Sequence, residues 1–131
     1  MTDATIAVCP PLSDAQLDAL FAAAWPGHTP RAHEALLARS LVWCAAFVAG
    51  ALVGYANVAW DGGVHAFLLD PTVHPEWRHR GIGLALVQAA TAAARERGAA
   101  WLHVDFEPHL APFYVAAGFR PTAAGLIRLT E

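Results

Sequence analysis

The chain has 131 residues, of which 56% are hydrophobic and 15% charged, and a formal net charge of -3. The length predicts one domain over 1–131, large enough to bury a core without staples. The acidic balance argues against a general nucleic-acid binder, which carries a basic face, and two cysteines, Cys9 and Cys44, make neither a disulfide framework nor a metal spacing.

Met1-Thr2-Asp3-Ala4 lacks the positive start and apolar core of an export signal. With both cysteines in apolar runs, the expectation is a cytoplasmic protein with free buried thiols and no metal. Ile6 to Cys9 reads as a short strand ended by Pro10-Pro11. Ser13-Asp14 can cap a helix in which Leu17, Leu20, Phe21 and Ala24 recur at helical spacing, ending near Trp25-Pro26-Gly27. A second helix is predicted from about Arg31 to Arg39, with Ala32, Ala35, Leu36 and Ala38 inward.

Leu41 to Trp60 is an uncharged run long enough to span a bilayer. Gly50, Gly54, Asn57 and a high alanine content argue against insertion. It reads instead as strands at about Leu41 to Val48 and Leu52 to Ala59, turning at Ala49-Gly50-Ala51, so no membrane is expected. Asp61-Gly62-Gly63 turns the chain into a strand over His65 to Val73, and Pro71 inside that strand cannot donate to a ladder, so a bulge or a free edge is required there.

The stretch Val73-His74-Pro75-Glu76-Trp77-Arg78-His79-Arg80-Gly81-Ile82-Gly83 follows, leading straight into an apolar helix. That helix has no Ser, Thr, Asp or Asn cap, so its first-turn N–H groups are left for something outside the chain. A helix N-terminus flanked by Arg78 and Arg80 favours a phosphate or pyrophosphate. Gly81 and Gly83 allow its oxygens to approach the amides of Arg80, Gly81, Ile82, Gly83 and Leu84. Neither the nucleotide-triphosphate loop nor the dinucleotide fingerprint fits the spacing.

From Ile82 to Arg97, the residues Ile82, Leu86, Val87, Ala90, Ala93 and Ala94 make one apolar stripe, and Gly98 stops the helix. Trp101 to Phe106 is the next strand, so strand, helix and strand form a βαβ unit with parallel strands. A short helix around Pro112 to Ala117 carries Phe113-Tyr114, followed by Gly118-Phe119, and Leu126 to Leu129 is predicted to close the sheet.

The spacing Arg78-x-x-Gly81-x-Gly83, with Val73 and Pro75 upstream and Phe113-Tyr114-x-x-x-Gly118-Phe119 downstream, resembles the GNAT superfamily of acyl-CoA-dependent N-acyltransferases. The resemblance covers roughly residues 64 to 129. It implies an α/β fold: a mixed, mostly antiparallel twisted sheet of six to seven strands with about four helices, splayed between the fourth and fifth strands. The bulge that opens that splay falls at Pro71-Thr72.

It also implies acetyl-CoA as cosubstrate and the amine of a small molecule or peptide as acceptor, joined by direct attack in a ternary complex. Family members are often dimers, so a homodimer is compatible. Val73, Arg78, His79, Arg80, Gly81, Ile82, Gly83 and Leu84 become the cofactor-binding set, with the Val73 N–H polarising the thioester carbonyl. Tyr114 becomes the donor to the leaving thiolate, a transfer uphill by only about 2 kcal/mol between unperturbed groups. The base is Asp70 or Glu107, with His65, His103, His109 and a water chain as alternatives. Seven residues before the tyrosine, where the family often has an asparagine holding the cofactor arm, this chain has Glu107. Two readings of another class remain: a non-catalytic acyl-CoA sensor, and a site for a different phosphorylated ligand.

Overall fold

A computed structural model describes residues 3–130. Helix α1 (Asp14–Ala24) starts at a reciprocal capping box: Ser13 Oγ accepts from the Gln16 N–H, and Gln16 Oε1 accepts from the Ser13 N–H. It buries Leu17, Leu20 and Phe21, as their spacing predicts. Helix α2 (Glu34–Arg39) is shorter than expected. The amides of Arg31 and His33 are drawn instead to carboxylates of α1, Asp18 and Asp14. The expected face is also wrong: Leu37 is its buried residue, and Leu36 is exposed.

Strands β1 (Thr5–Val8), β2 (Val42–Val48), β3 (Ala51–Trp60), β4 (His65–Val73) and β5 (Trp101–His103) lie side by side in that order. The first three junctions are antiparallel and β4 pairs with β5 in parallel. The uncharged run thus forms two sheet strands, and among the described residues no helix is long and apolar enough to cross a membrane. Helix α3 (Ile82–Glu96) covers one face, burying the six residues of its predicted stripe. Helices α1 and α2 cover the other. On β3, Gly54 meets α3 whereas its neighbour Tyr55 meets Phe21 of α1, as alternation along a strand requires.

The sheet has five strands, a correction to the six or seven expected. Leu126 to Leu129 forms no strand: Pro121 supplies no donor and Ala123-Ala124-Gly125 has low strand preference. Leu126, Ile127 and Leu129 are left exposed. The expected Trp101–Phe106 strand stops at His103, where its pairing to β4 ends.

The expected irregularity in β4 is present. Asn57 faces Leu69 and Tyr55 faces Thr72, so Asp70 and Pro71 share the place opposite Ala56. Asp70 takes φ +55 there, a left-handed conformation that ordinary residues adopt only where surrounding structure demands it. Parallel pairing with β5 covers only His65 to Phe67, so from Leu68 onward the two strands have parted.

Candidate active site

The gap between β4 and β5 leaves Val73 in an unusual position. The adjacent pair is hydrogen-bonded, His74 N–H to the Val53 carbonyl at 2.8 Å, which makes Gly54 and Val73 a non-bonded pair. The Val73 N–H and carbonyl therefore turn away from β3, towards the space β5 has vacated. The Arg78 Nε donates to the Val73 carbonyl at 3.3 Å, and the N–H faces the gap.

The chain then passes through a 3-10 turn, Pro75–Trp77, capped by His74 Nδ1 accepting from the Glu76 N–H. His79 and Gly81 both take positive φ, a sharp reversal that aims the start of α3 at the same gap. Gly81 is the N-cap of α3 and contributes no side-chain bond. The first intrahelical bond runs from the Ala85 N–H to the Gly81 carbonyl, so the amides of Ile82, Gly83 and Leu84 have no partner within the helix. A Cβ on Gly83 would stand in ordinary van der Waals contact with the Phe113 ring at 3.5 Å and a Val73 methyl at 3.6 Å.

These features line one cavity of about 510 Å³, together with Tyr114 and Phe113 from α4 (Ala111–Ala116). Of the predicted cofactor set, Val73, Arg78, His79, Gly81, Ile82, Gly83 and Leu84 line it. Arg80 does not: its guanidinium stacks over the Trp77 ring at 4.6 Å. The bare amides of Ile82, Gly83 and Leu84 and the adjacent Arg78 fit a pyrophosphate-bearing thioester. A larger groove of about 790 Å³ between β4, β5 and residues 118–126 holds His103, but none of the predicted cofactor-binding residues and none of Tyr114, Asp70 and Glu107. The smaller cavity is therefore the candidate site.

Tyr114 is held in an aromatic cage, stacked on Phe106 at 4.7 Å and edge-on to Phe113 and Phe119. Burial, and secondarily the Asp105 carboxylate, raise its phenol above the usual range, so the proton stays available. Asp70 sits on the bulge beside Pro71, which lines the cavity. Partial desolvation on the bulge raises its carboxyl above the ordinary value, with Arg31 opposing the shift, although the residue as a whole is exposed, so the rise is modest. Glu107 is exposed at the head of a second 3-10 turn, Pro108–Leu110, and does not line the cavity. Nor do His65 and His103, which bond each other through Nδ1 and Nε2 at 2.8 Å, or His109. Asp70 is thus the acid the fold brings beside the site. Among the described residues no three His, Cys, Asp or Glu side chains form a metal-binding group.

Trp25, the C-cap of α1, also lines the cavity, as expected of the segment around Trp25 to His33 if it helps to wall an acceptor pocket. Its position follows from a clasp that no local pattern announces. The Asp18 carboxylate is within 2.9 Å of Nε2 of both His28 and His33, and it accepts from the Arg31 N–H, folding residues 25–33 back onto α1.

The profile of the acetyltransferase (GNAT) family matches residues 11–119. The chain belongs to that family. A GNAT acetyltransferase from Streptococcus pneumoniae TIGR4 superposes with a TM-score of 0.82 over 98% of both chains at 26% identity. Aminoglycoside N-acetyltransferase AAC(6')-Iy, solved in complex with CoA, shares the fold, with a TM-score of 0.78 over 99% of this chain and 96% of its own at 21% identity. Similar curated sequences include a mycothiol acetyltransferase of Mycolicibacterium vanbaalenii, 39% identical over 45% of this chain and 20% of its own length. Serotonin N-acetyltransferase 2 of Oryza sativa subsp. japonica is 33% identical over 69% of this chain and 49% of its own. The GNAT chain thus spans less than half the length of these two curated relatives.

Proposed function

We propose that this GNAT domain moves an acetyl group from acetyl-CoA to a primary amine of a small molecule or peptide, by direct attack within a ternary complex. The reading is carried by one observation. The uncapped start of α3, the outward-turned Val73 and the caged Tyr114 line a single cavity beside the last residues of β4. The amides of Ile82, Gly83 and Leu84, with Arg78, hold the pyrophosphate, and the cosubstrate supplies the activated acyl group. The Val73 N–H donates to the carbonyl oxygen as charge develops on it, a fixed donor of the kind worth about 3 kcal/mol or more.

Asp70 takes one proton from the incoming ammonium, freeing the lone pair that forms the new C–N bond. As the C–S bond breaks, its electron pair leaves on sulfur and Tyr114 gives that sulfur a proton. The second proton shed by nitrogen restores Tyr114, and the proton on Asp70 passes to solvent, so each turnover releases one proton net. Two unpaired thiols, Cys44 buried and Cys9 partly so, support a reducing cytoplasmic setting.

The test is release of free thiol from acetyl-CoA across a panel of amines, amino acids and peptides, run beside thermal shifts with acetyl-CoA, CoA, ATP and NAD. Stabilisation confined to the CoA pair, with amine-dependent thiol release, is the expected result. Stabilisation by acetyl-CoA without turnover on any amine overturns the catalytic reading, and equal stabilisation by ATP overturns the ligand.

A further inference from the structure

Asp70 takes its place beside the cavity under two constraints that a strand residue normally escapes. Its φ of +55 lies in the left-handed region, and it precedes Pro71, whose ring pushes the residue before it towards extended backbone. A conformation of this kind persists only where the surroundings over-determine it. Arg31 acts on the carboxyl through charge, which draws it without fixing its direction. The direction is set by the backbone that carries it.

That backbone is held by Thr72. Its Oγ1 donates to the Asp70 carbonyl at 2.8 Å, reaching back across Pro71. Pro71 has its φ fixed by the pyrrolidine ring, and Thr72, branched at Cβ, has few rotamers, so the bond closes a stiff loop from Asp70 to Thr72. Thr72 is 4% exposed and stands opposite Tyr55, itself buried against Phe21 of α1. A hydroxyl placed that deeply needs a partner, and the one it takes is the carbonyl of Asp70. Val73, next along the chain, is anchored separately: the His74 N–H is bonded to the Val53 carbonyl, and Arg78 Nε donates to the carbonyl of Val73 itself. Thr72 therefore bears on Asp70 and leaves the Val73 N–H to other contacts.

We propose that Thr72 is a positioning residue for the acyl transfer: its hydroxyl locks the Asp70–Pro71 bulge in the left-handed form that presents the Asp70 carboxylate to the incoming amine. The proposal rests on the acetyltransferase reading, with Asp70 as its base, and adds the group that holds that base in place. Thr72 lines the cavity, but its hydroxyl is spent on the Asp70 carbonyl, so it acts through Asp70.

The experiment measures amine-dependent thiol release with saturating acetyl-CoA and the amine of the panel above that turns over fastest. Thr72→Val keeps the branched shape and removes the hydroxyl. It should lower kcat by about tenfold, the size of one hydrogen bond lost from a buried carbonyl, with KM for acetyl-CoA and the thermal shift on acetyl-CoA unchanged. Thr72→Ser, which restores the hydroxyl, should recover most of the rate. The deciding measurement is a double-mutant cycle: in an Asp70→Asn background Thr72→Val should cost less than about twofold, because the group it positions is gone. If Thr72→Val does not fold, Thr72→Ser against Thr72→Ala, alike in size and differing by the hydroxyl, carries the same cycle, with serine the faster only where Asp70 is present. An undiminished cost beside Asp70→Asn overturns the proposal, as does a Thr72→Val rate equal to wild type or a serine variant no better than valine. In each of those cases wild-type turnover leaves the acetyltransferase reading standing. A kcat unmoved by Asp70→Asn removes the base and the proposal while turnover stands; if no amine releases thiol, the reading fails and the proposal with it.

Discussion

Tyr114 and Asp70 divide the proton traffic because their surroundings push both carboxyl and phenol towards the protonated form. For Tyr114 that is an advantage: the phenol remains a donor throughout the neutral range. Tyr114→Phe keeps the stacking on Phe106 and removes only the hydroxyl. The kcat under chemistry-limited conditions should fall about a hundredfold, the low end of a general-acid contribution, or more, with little change in KM or in melting temperature. For Asp70 the raised value brings the carboxyl closer to working pH, and only its ionised form accepts a proton. Activity should therefore rise with pH through an acidic limb displaced upward from an ordinary aspartate. Asp70→Asn should abolish that limb and depress the plateau, as a pH–rate profile with a saturating amine will show. The same raised value costs stability on the alkaline side: protonation favours the fold, so this contribution fades as pH rises from the unfolded value through the folded one. Asp70 and Tyr114 were both legible in the sequence, one from its place before Val73 and the other from its motif. No motif marks Trp25 itself, because its reach into the site depends on Asp18, His28 and His33, whose meeting is tertiary.

The elements divide along the same line. Helix α3 was readable to within a residue because its apolar period and glycine boundaries are local signals that packing reinforces. The bulge was readable because Pro71 cannot sit in a regular ladder. Helix α2 and the C-terminal segment were misread where a distant partner, or its absence, overrules local pattern. Gly54 was likewise read only as an interruption of an apolar run. In the structure it lets α3 sit on β3: a Cβ there would stand 2.8 Å from Leu86 Cδ1, and 3.2 Å from both Ile82 Cγ2 and Ala46 Cβ. The Leu86 end can rotate, but Ala46 belongs to the buried sheet. Gly54→Ala should therefore destabilise by about 1–3 kcal/mol, in the range of overpacked cores, read from urea midpoints. Because Ile82 starts α3, the same change should weaken acetyl-CoA binding. The α1 clasp gives a second element-scale expectation. Its two histidines, with the Arg31 amide, hold the Asp18 carboxyl down at about 2. A lowered acid contributes stability that is fully present above the unfolded value and lost as pH falls towards the folded one. Asp18→Asn should flatten acid unfolding between about pH 4 and 2, and the wild type should lose order around residues 25–33 first, visible as Trp25 fluorescence.

At the scale of the molecule, the sheet is held together least where the site lies. The β4–β5 junction is secured by three paired residues on each strand, and beyond them the end of β4 shares the cavity with α3 and α4. A ligand filling that cavity touches β4, α3 and α4 at once, so its binding energy joins parts that unfolding must separate. Stabilisation by a ligand that binds only the folded state follows its excess over Kd, and amounts to about 2.7 kcal/mol at a hundredfold excess. For a domain of this size that raises Tm by on the order of 10 °C. Acetyl-CoA and CoA should both produce the rise, since the pyrophosphate, not the acyl group, meets the α3 amides. The two electrostatic contributors separate cleanly. Arg78→Ala should remove part of the shift and make what remains less sensitive to salt, because the helix amides act at contact range while a full charge is screened over about 10 Å at 0.1 M salt. Arg80→Ala should do less, because Arg80 is stacked over Trp77 and does not itself line the cavity. If the two variants lose the shift equally, or CoA fails to reproduce it, then the pyrophosphate does not sit where α3 begins.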